Sequence, residues 1–183
     1  SNTYSDTIDL DFNDGISAQT VSRDVVGTSG AAAILTVSDG PTYDYLKKAN
    51  GSDNDKVFTV TYSGNVDATS VTGSGLAGDF QFTGGAYPGL GGTCGVVINS
   101  GNSPCTISVR FTPSGGVTTD QIELNYFDGL ATQLATRDVT GEGAAPATLA
   151  ISETDPFDFG LILTGFTHAH TFTLTNSGGV SAT

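Results

Sequence analysis

The sequence has no methionine, no tryptophan, two cysteines, and only six lysine and arginine residues against nineteen acids. Each scarcity closes off a class of reading. A formal charge of −13 leaves no basic footprint for nucleic acid, a polyanion that needs lysine and arginine opposite it. The same charge disfavours an anionic membrane surface. No apolar run approaches the roughly 18 residues that would span a bilayer as a helix. No segment beyond about eight residues carries a helical period. The two cysteines, Cys94 and Cys105, have no neighbouring His or Cys ligands. They read as a disulfide rather than a metal site, with two unpaired thiols as the alternative. A bridge would imply an oxidising compartment.

What remains is rich in Thr, Ser, Val and Gly, and it alternates. In Thr7–Phe12, Ile8, Leu10 and Phe12 share one face with acids on the other; Gln121–Tyr126, Thr106–Phe111 and His170–Thr175 follow the same rule. Period-2 segments separated by turns such as Asp14-Gly15 and Asp128-Gly129 predict half-buried strands. The expected fold class is all-β, an immunoglobulin-like antiparallel sandwich.

The chain also repeats itself. Ser1–Thr69 returns as Gly115–Thr183 at a constant offset of 114 residues, without a gap. Ile8, Leu10, Asp14, Gly15, Gln19, Arg23, Asp24, Val25 and Gly27 recur as Ile122, Leu124, Asp128, Gly129, Gln133, Arg137, Asp138, Val139 and Gly141. A period of domain size predicts a tandem array of like modules. The expected division is 1–34 as closing strands of one module, 35–148 as a complete module, and 149–183 as opening strands of another. The junctions, Gly27–Leu35 and Gly141–Leu149, are short, which predicts a semi-rigid rod.

The runs GGTCG and CTISVRFTPSGG (within Gly91–Gly116), IELNYFDG (Ile122–Gly129), VTGEG (Val139–Gly143), LAISETDPFDFG (Leu149–Gly160) and TFTLTNSGGVSAT (Thr171–Thr183) resemble the bacterial choice-of-anchor D repeats. These are relatives of the ASPM/SPD-2/Hydin immunoglobulin-like domains. The resemblance implies a secreted or cell-surface protein with a stalk, fibre or adhesin role, and no catalytic residues. The first copy departs from the pattern at Tyr45-Leu46, where the second has Phe159-Gly160.

Candidate chemistry is sparse. Asn50, Asp53, Asn54 and Asp55 form an oxygen-rich turn that could hold Ca2+, against the plainer reading of a solvated loop. Asp9–Gly15 mimics a calcium loop, but its Gly falls one place late. His168 and His170 share a strand face without an evident third ligand. Arg23-Asp24 and Arg137-Asp138 recur between apolar positions and predict a structural partner for each Arg. Tyr87, in the Gly-rich stretch Gly84–Gly89, is the one aromatic suited to a displayed ligand site. No nucleophile stands with a base, and no Gly loop opens a helix, so no enzyme is expected. The expected function is an extracellular structural or adhesive array, with neighbouring modules or identical subunits as partners and strand exchange between subunits as one form of assembly. The alternative is a carbohydrate- or protein-binding module of a secreted assembly.

Overall fold

Alternation translates directly into strands. The computed structural model describes all 183 residues and contains twelve strands and no helix. In chain order they are β1 (Asn2–Asn13), β2 (Ala18–Ser29), β3 (Ile34–Val37), β4 (Thr42–Ala49), β5 (Asn54–Ser63), β6 (Thr69–Ser74), β7 (Phe80–Phe82), β8 (Cys105–Phe111), β9 (Gly116–Phe127), β10 (Thr132–Ala144), β11 (Leu149–Ile151) and β12 (Leu174–Asn176). β3 to β10 form two four-stranded sheets, ordered β3-β5-β8-β7 and β4-β10-β9-β6. Their inward positions make one apolar cluster. Leu35, Val37, Phe58, Val60, Ile107, Val109 and Phe111 come from the first sheet, and Tyr45, Val71, Ile122, Leu124 and Val139 from the second. Each fully buried Phe, Leu, Ile or Val contributes about 1.5–3 kcal/mol relative to exposure.

Tyr45 sits at the centre, tilted against Phe111 at 5.3 Å between ring centroids. Its hydroxyl donates to the Val109 carbonyl at 2.9 Å. Burial pushes that phenol well above its ordinary range. The polar end of a buried Tyr needs such an acceptor.

One pairing departs from an antiparallel sandwich: β4 runs parallel to β10. The cause is topological. β3 and β4 are consecutive but lie in opposite sheets, so the chain crosses the sandwich through residues 38–41 and meets β10 from the parallel direction. A bulge between Thr140 and Glu142 interrupts that ladder. Near it, Leu46 takes a positive φ of 63°, and Gly160, its repeat mate, takes 71°. The Leu-for-Gly departure therefore leaves the backbone conformation unchanged.

The long loop between β7 and β8 closes one side of the sandwich. A Cys94–Cys105 disulfide ties it to the start of β8. Ile98 is fully buried and bridges to Ala68. The approach is close: a Cβ on Gly89, whose φ is +90°, would lie 2.1 Å from the Ser108 carbonyl oxygen.

The repeat is visible in the backbone. β1 pairs with β2 over twelve residues, from Asn2↔Ser29 to Asn13↔Ala18. β9 pairs with β10 in the identical register, from Gly116↔Gly143 to Phe127↔Thr132. β11 and β12 pair Leu149↔Asn176 and Ile151↔Leu174, matching Leu35↔Tyr62 and Val37↔Val60 between β3 and β5. The turns match too. Asp128 Oδ1 accepts from the Leu130 and Ala131 amides, and Asp14 Oδ1 from those of Ile16 and Ser17. These amide bonds hold both carboxyls below the usual carboxylate range, the Ala131 and Ser17 amides contributing most.

Candidate functional site

The two repeats of the same strands sit in opposite surroundings. On β9 and β10, Ile122, Leu124, Tyr126, Ala135 and Val139 are buried. Their counterparts Ile8, Leu10, Phe12, Val21 and Val25 are exposed: Leu10 at 63%, against 0% for Leu124. The β1–β2 hairpin contacts no second sheet, and every one of its residues is exposed. Its polar face is already satisfied by cross-strand bonds, Thr7 to Asp24 at 2.9 Å, Thr20 to Asp11 at 2.5 Å and Ser22 to Asp9 at 2.6 Å. The unsatisfied face is the apolar one.

Arg23 stands on that apolar face, directly opposite Ile8. Its counterpart Arg137 reaches across the sandwich and donates from Nη1 to the Pro41 carbonyl at 2.7 Å and from Nη2 to the Val37 carbonyl. Asp138 is not its partner, since that carboxylate accepts from Gln121 Nε2 at 2.6 Å. The recurring Arg thus binds the carbonyls of the β3–β4 crossover. Arg23 makes no such bond, because no β3–β4 crossover faces it.

The 149–183 segment is the converse half. Leu149, Ile151, Phe172 and Leu174 correspond to the core residues Leu35, Val37, Phe58 and Val60, and all four are uncovered. Residues 156–163, which match β4, form no strand. The reason is pairing: β4 has β10 as its only ladder partner, and nothing in that position faces 156–163. β12 is likewise limited to three residues, shorter than the His170–Thr175 alternation predicts. Its counterpart β5 is held along its length by β8, and the segment has no copy of β8.

Even so, the segment keeps the side-chain cluster of its copy. In the module, Lys56 Nζ binds Asp39 at 3.0 Å and lies 4.6 Å from the Tyr43 ring centroid. In the segment, His170 Nε2 lies 3.4 Å from Glu153 and its ring stacks on Phe157 at 4.2 Å. Phe157 also meets Phe159 and Phe172 edge-on. His170 therefore occupies a lysine's structural place, and His168 is not beside it on a shared ligand. Nowhere do three or more His, Cys, Asp or Glu side chains come together to hold a metal ion.

The oxygen-rich turn is divided in the same way. Arg110 binds Asp55 through Nε and Nη2 at 2.7 and 2.9 Å and Asp53 through Nη1 at 2.6 Å. The Arg110 hydrogen bonds hold the Asp55 carboxyl below its ordinary range. Asn54 Nδ2 donates to the Ser52 and Phe111 carbonyls at 2.9 and 3.3 Å. Asn50 Oδ1 is buried without a partner. Two of the four candidate calcium ligands, Asp53 and Asp55, thus converge on the Arg110 guanidinium, while Asn54 turns to backbone carbonyls and Asn50 Oδ1 stands apart. Tyr87 is half-buried: it meets Phe82 edge-on at 5.8 Å and donates to the Gly95 carbonyl at 3.1 Å. Burial pushes its hydroxyl up to about 12. It fastens the β7–β8 loop across the open side of the sandwich rather than presenting a free ring.

The residues that sequence reasoning missed are the acceptors of Arg137, which are backbone carbonyls and leave no mark in residue identity. No helix is long and apolar enough to cross a membrane. No family model and no curated protein matches the chain. Among solved structures it is similar to the VesB protease of Vibrio cholerae, at 19% identity and a TM-score of 0.42, covering 59% of this chain and 31% of that one. It is also similar to a protein of unknown function from Porphyromonas gingivalis W83, at 9% identity and a TM-score of 0.48, covering 77% of this chain and 66% of that one. The chain thus spans about a third of the first neighbour and just under two thirds of the second.

Proposed function

We propose that this chain belongs to an extracellular structural or adhesive array of immunoglobulin-like sandwiches, a stalk, fibre or surface filament without catalytic activity. The observation that carries the reading is the recurrence of one hairpin register and one strand-pair register at the same offset, on either side of a closed sandwich. Resemblance to choice-of-anchor D repeats points the same way. The disulfide supports an oxidising compartment.

The mechanism is mechanical. The hairpin joins the sandwich beside the Asp128 turn, where Ala33 N donates to the Asp128 carbonyl at 3.0 Å. The 149–183 segment leaves from the far end of β10. Thirteen residues of β10 at about 3.3 Å each set an axial length of roughly 43 Å per module. Electron micrographs of the purified protein should show rods with a repeat near that length. Compact particles of uniform dimensions would overturn the reading.

A further inference from the structure

We infer that the cavity on the flank of the sandwich, between the edge strands β6 and β7, is a binding site for a neutral sugar ring. The inference rests on the adhesive form of the array reading for its purpose, and on a single sandwich for its geometry. The cavity holds about 340 Å³, near the lower end of the usual range for ligand pockets, about 300–1,000 Å³. Every residue lining it lies between Gly73 and Tyr87. Ser74 stands opposite Glu123 in the interior of β9, so the cavity opens partway along the sandwich, away from both junctions. Chain continuing through either junction does not form its walls.

The walls follow from the local sequence. β6 and β7 are the outer strands of their sheets, so the sandwich is open between them. The loop after β7 crosses this opening through Gly84 and Gly85, with φ of 81° and 91°, and brings Tyr87 back over Gly73. A Cβ on Gly73 would stand 2.7 Å from Tyr87 Cδ2. The Phe82 contact and the Gly95 bond hold the Tyr87 ring in place. It is a fixed, half-buried wall, with Leu76 as a second apolar one, and a surface already ordered spares a ligand that cost. Polar groups stand around it. Ser74 Oγ donates to Glu123 Oε2 at 3.1 Å and accepts from Asn125 Nδ2 at 3.0 Å, and the exposed Gln81 adds an amide. An aromatic wall edged by hydroxyl and amide groups suits a pyranose, which has an apolar face and a rim of hydroxyls. Other ligand chemistries fit less well. No lysine or arginine lines the cavity and Glu123 stands behind Ser74, so an anion meets no counter-charge. An extended peptide meets edges already bonded: Val71 N donates to the Val96 carbonyl at 3.0 Å, Phe80 N to that of Ala77 at 3.1 Å and Gly85 N to that of Phe82 at 2.7 Å.

Two-dimensional NMR of the 183-residue protein tests this, with methyl β-D-galactopyranoside, methyl β-D-glucopyranoside and N-acetylglucosamine as probes. N-acetylneuraminic acid and an uncharged threonine–valine peptide are the comparison ligands. At least one neutral sugar should shift the Gly73, Ser74, Gln81 and Gly85 amides saturably at millimolar concentration. Gln81→Ala should weaken binding about three- to tenfold, the worth of one hydrogen bond, with the melting temperature unchanged. Tyr87→Phe should bind as the wild type does, and Tyr87→Ala should lose binding at temperatures where it remains folded. Silence toward all three sugars, shifts confined to other residues, or an equal response to the acid or the peptide overturns the site. So does binding indifferent to Gln81→Ala and Tyr87→Ala. Rods that bind no sugar remove the site and leave the array reading standing, whereas compact particles that bind sugar remove the array and leave the site.

Discussion

Leu10 and Leu124 are the same residue in the same register of the same hairpin, and one truncation in each separates packing from propensity. Leu124 is fully buried between the sheets. Leu124→Ala removes three carbons from a site walled by Phe, Ile and Val side chains that cannot all collapse inward, so it should cost about 3 kcal/mol, within the usual 2–5. For a unit of this size that lowers the melting temperature by about 12 °C, at roughly 4 °C per kcal/mol. Leu10 has nothing over it, so Leu10→Ala should change stability by less than about 0.5 kcal/mol. The assay is thermal or urea unfolding of both variants and the wild type at low concentration, where association does not contribute. Equal losses would mean that the hairpin is packed into the core. No loss at Leu124 would mean that the two sheets do not enclose it. Either result refutes the placement of the two copies.

Other substitutions test individual contacts. Leu46→Gly should stabilise by about 0.5–1 kcal/mol, since the left-handed conformation costs a branched residue about 1–2 kcal/mol and glycine's chain entropy returns part of that; a loss in the urea midpoint would contradict the positive φ. Removing the Cys94–Cys105 bridge should cost about 3 kcal/mol, the loop-closure value for a ring of about a dozen residues, and an unchanged midpoint under reducing conditions would sink it. Tyr87→Phe should cost about 1 kcal/mol for the Gly95 bond, and Tyr87→Ala about 3 kcal/mol as the ring contact with Phe82 also goes; equal effects would place the ring outside the packing. Asp55 and Asp128 have depressed folded-state values. Their contribution is therefore complete above the unfolded carboxyl range near ~4 and is lost as pH falls through the folded values. The melting temperature should drop below about pH 4, less steeply in Asp55→Asn, and an unaltered slope in that variant would remove Arg110 as the cause.

Alternation made the strands legible because most sandwich strands have one wet face; β8, where Ser108 is buried between Ile107 and Val109, is the exception. Ile122, Leu124 and Tyr126 could be assigned inward from spacing alone, and the Asp128-Gly129 turn marked where β9 reverses. The parallel β4–β10 pairing was not legible. It depends on which sheet the chain enters after residues 38–41, and neither sheet is written in β4's own residues. The acidic calcium candidates meet an arginine instead of each other's open oxygens for a related reason. Asp55 meets Arg110 through the β5–β8 register, a relation across 55 residues that local composition cannot carry. Lys56 and His170 show the opposite case. His170 looked like a ligand by its chemistry alone, while the fold gives it an acid and an aromatic ring at the positions that serve Lys56: Glu153 for Asp39 and Phe157 for Tyr43.

Stiffness in the proposed array is decided at its junctions, where the repeat varies in a compensated way. After β2, Gly30 is the only residue before Ala31, whose carbonyl accepts from the Asn65 amide at 2.9 Å. After β10, Ala145 follows at once and accepts from the Gly179 amide at 2.9 Å. At the first junction a Cβ on Gly30 would stand 3.0 Å from the Asn65 Cβ. At the second the sizes are exchanged: Ala144 has the side chain, and a Cβ on Gly179 would stand 2.9 Å from it. One small residue is required in each pair, and each pair supplies one, on opposite partners. Such close packing leaves about one residue's freedom between a module's last strand and the anchored start of the next. A hinge built for bending would have more loose chain and less contact. On the array reading proposed above, such junctions transmit orientation from one sandwich to the next, as a load-carrying rod requires and a flexible tether does not.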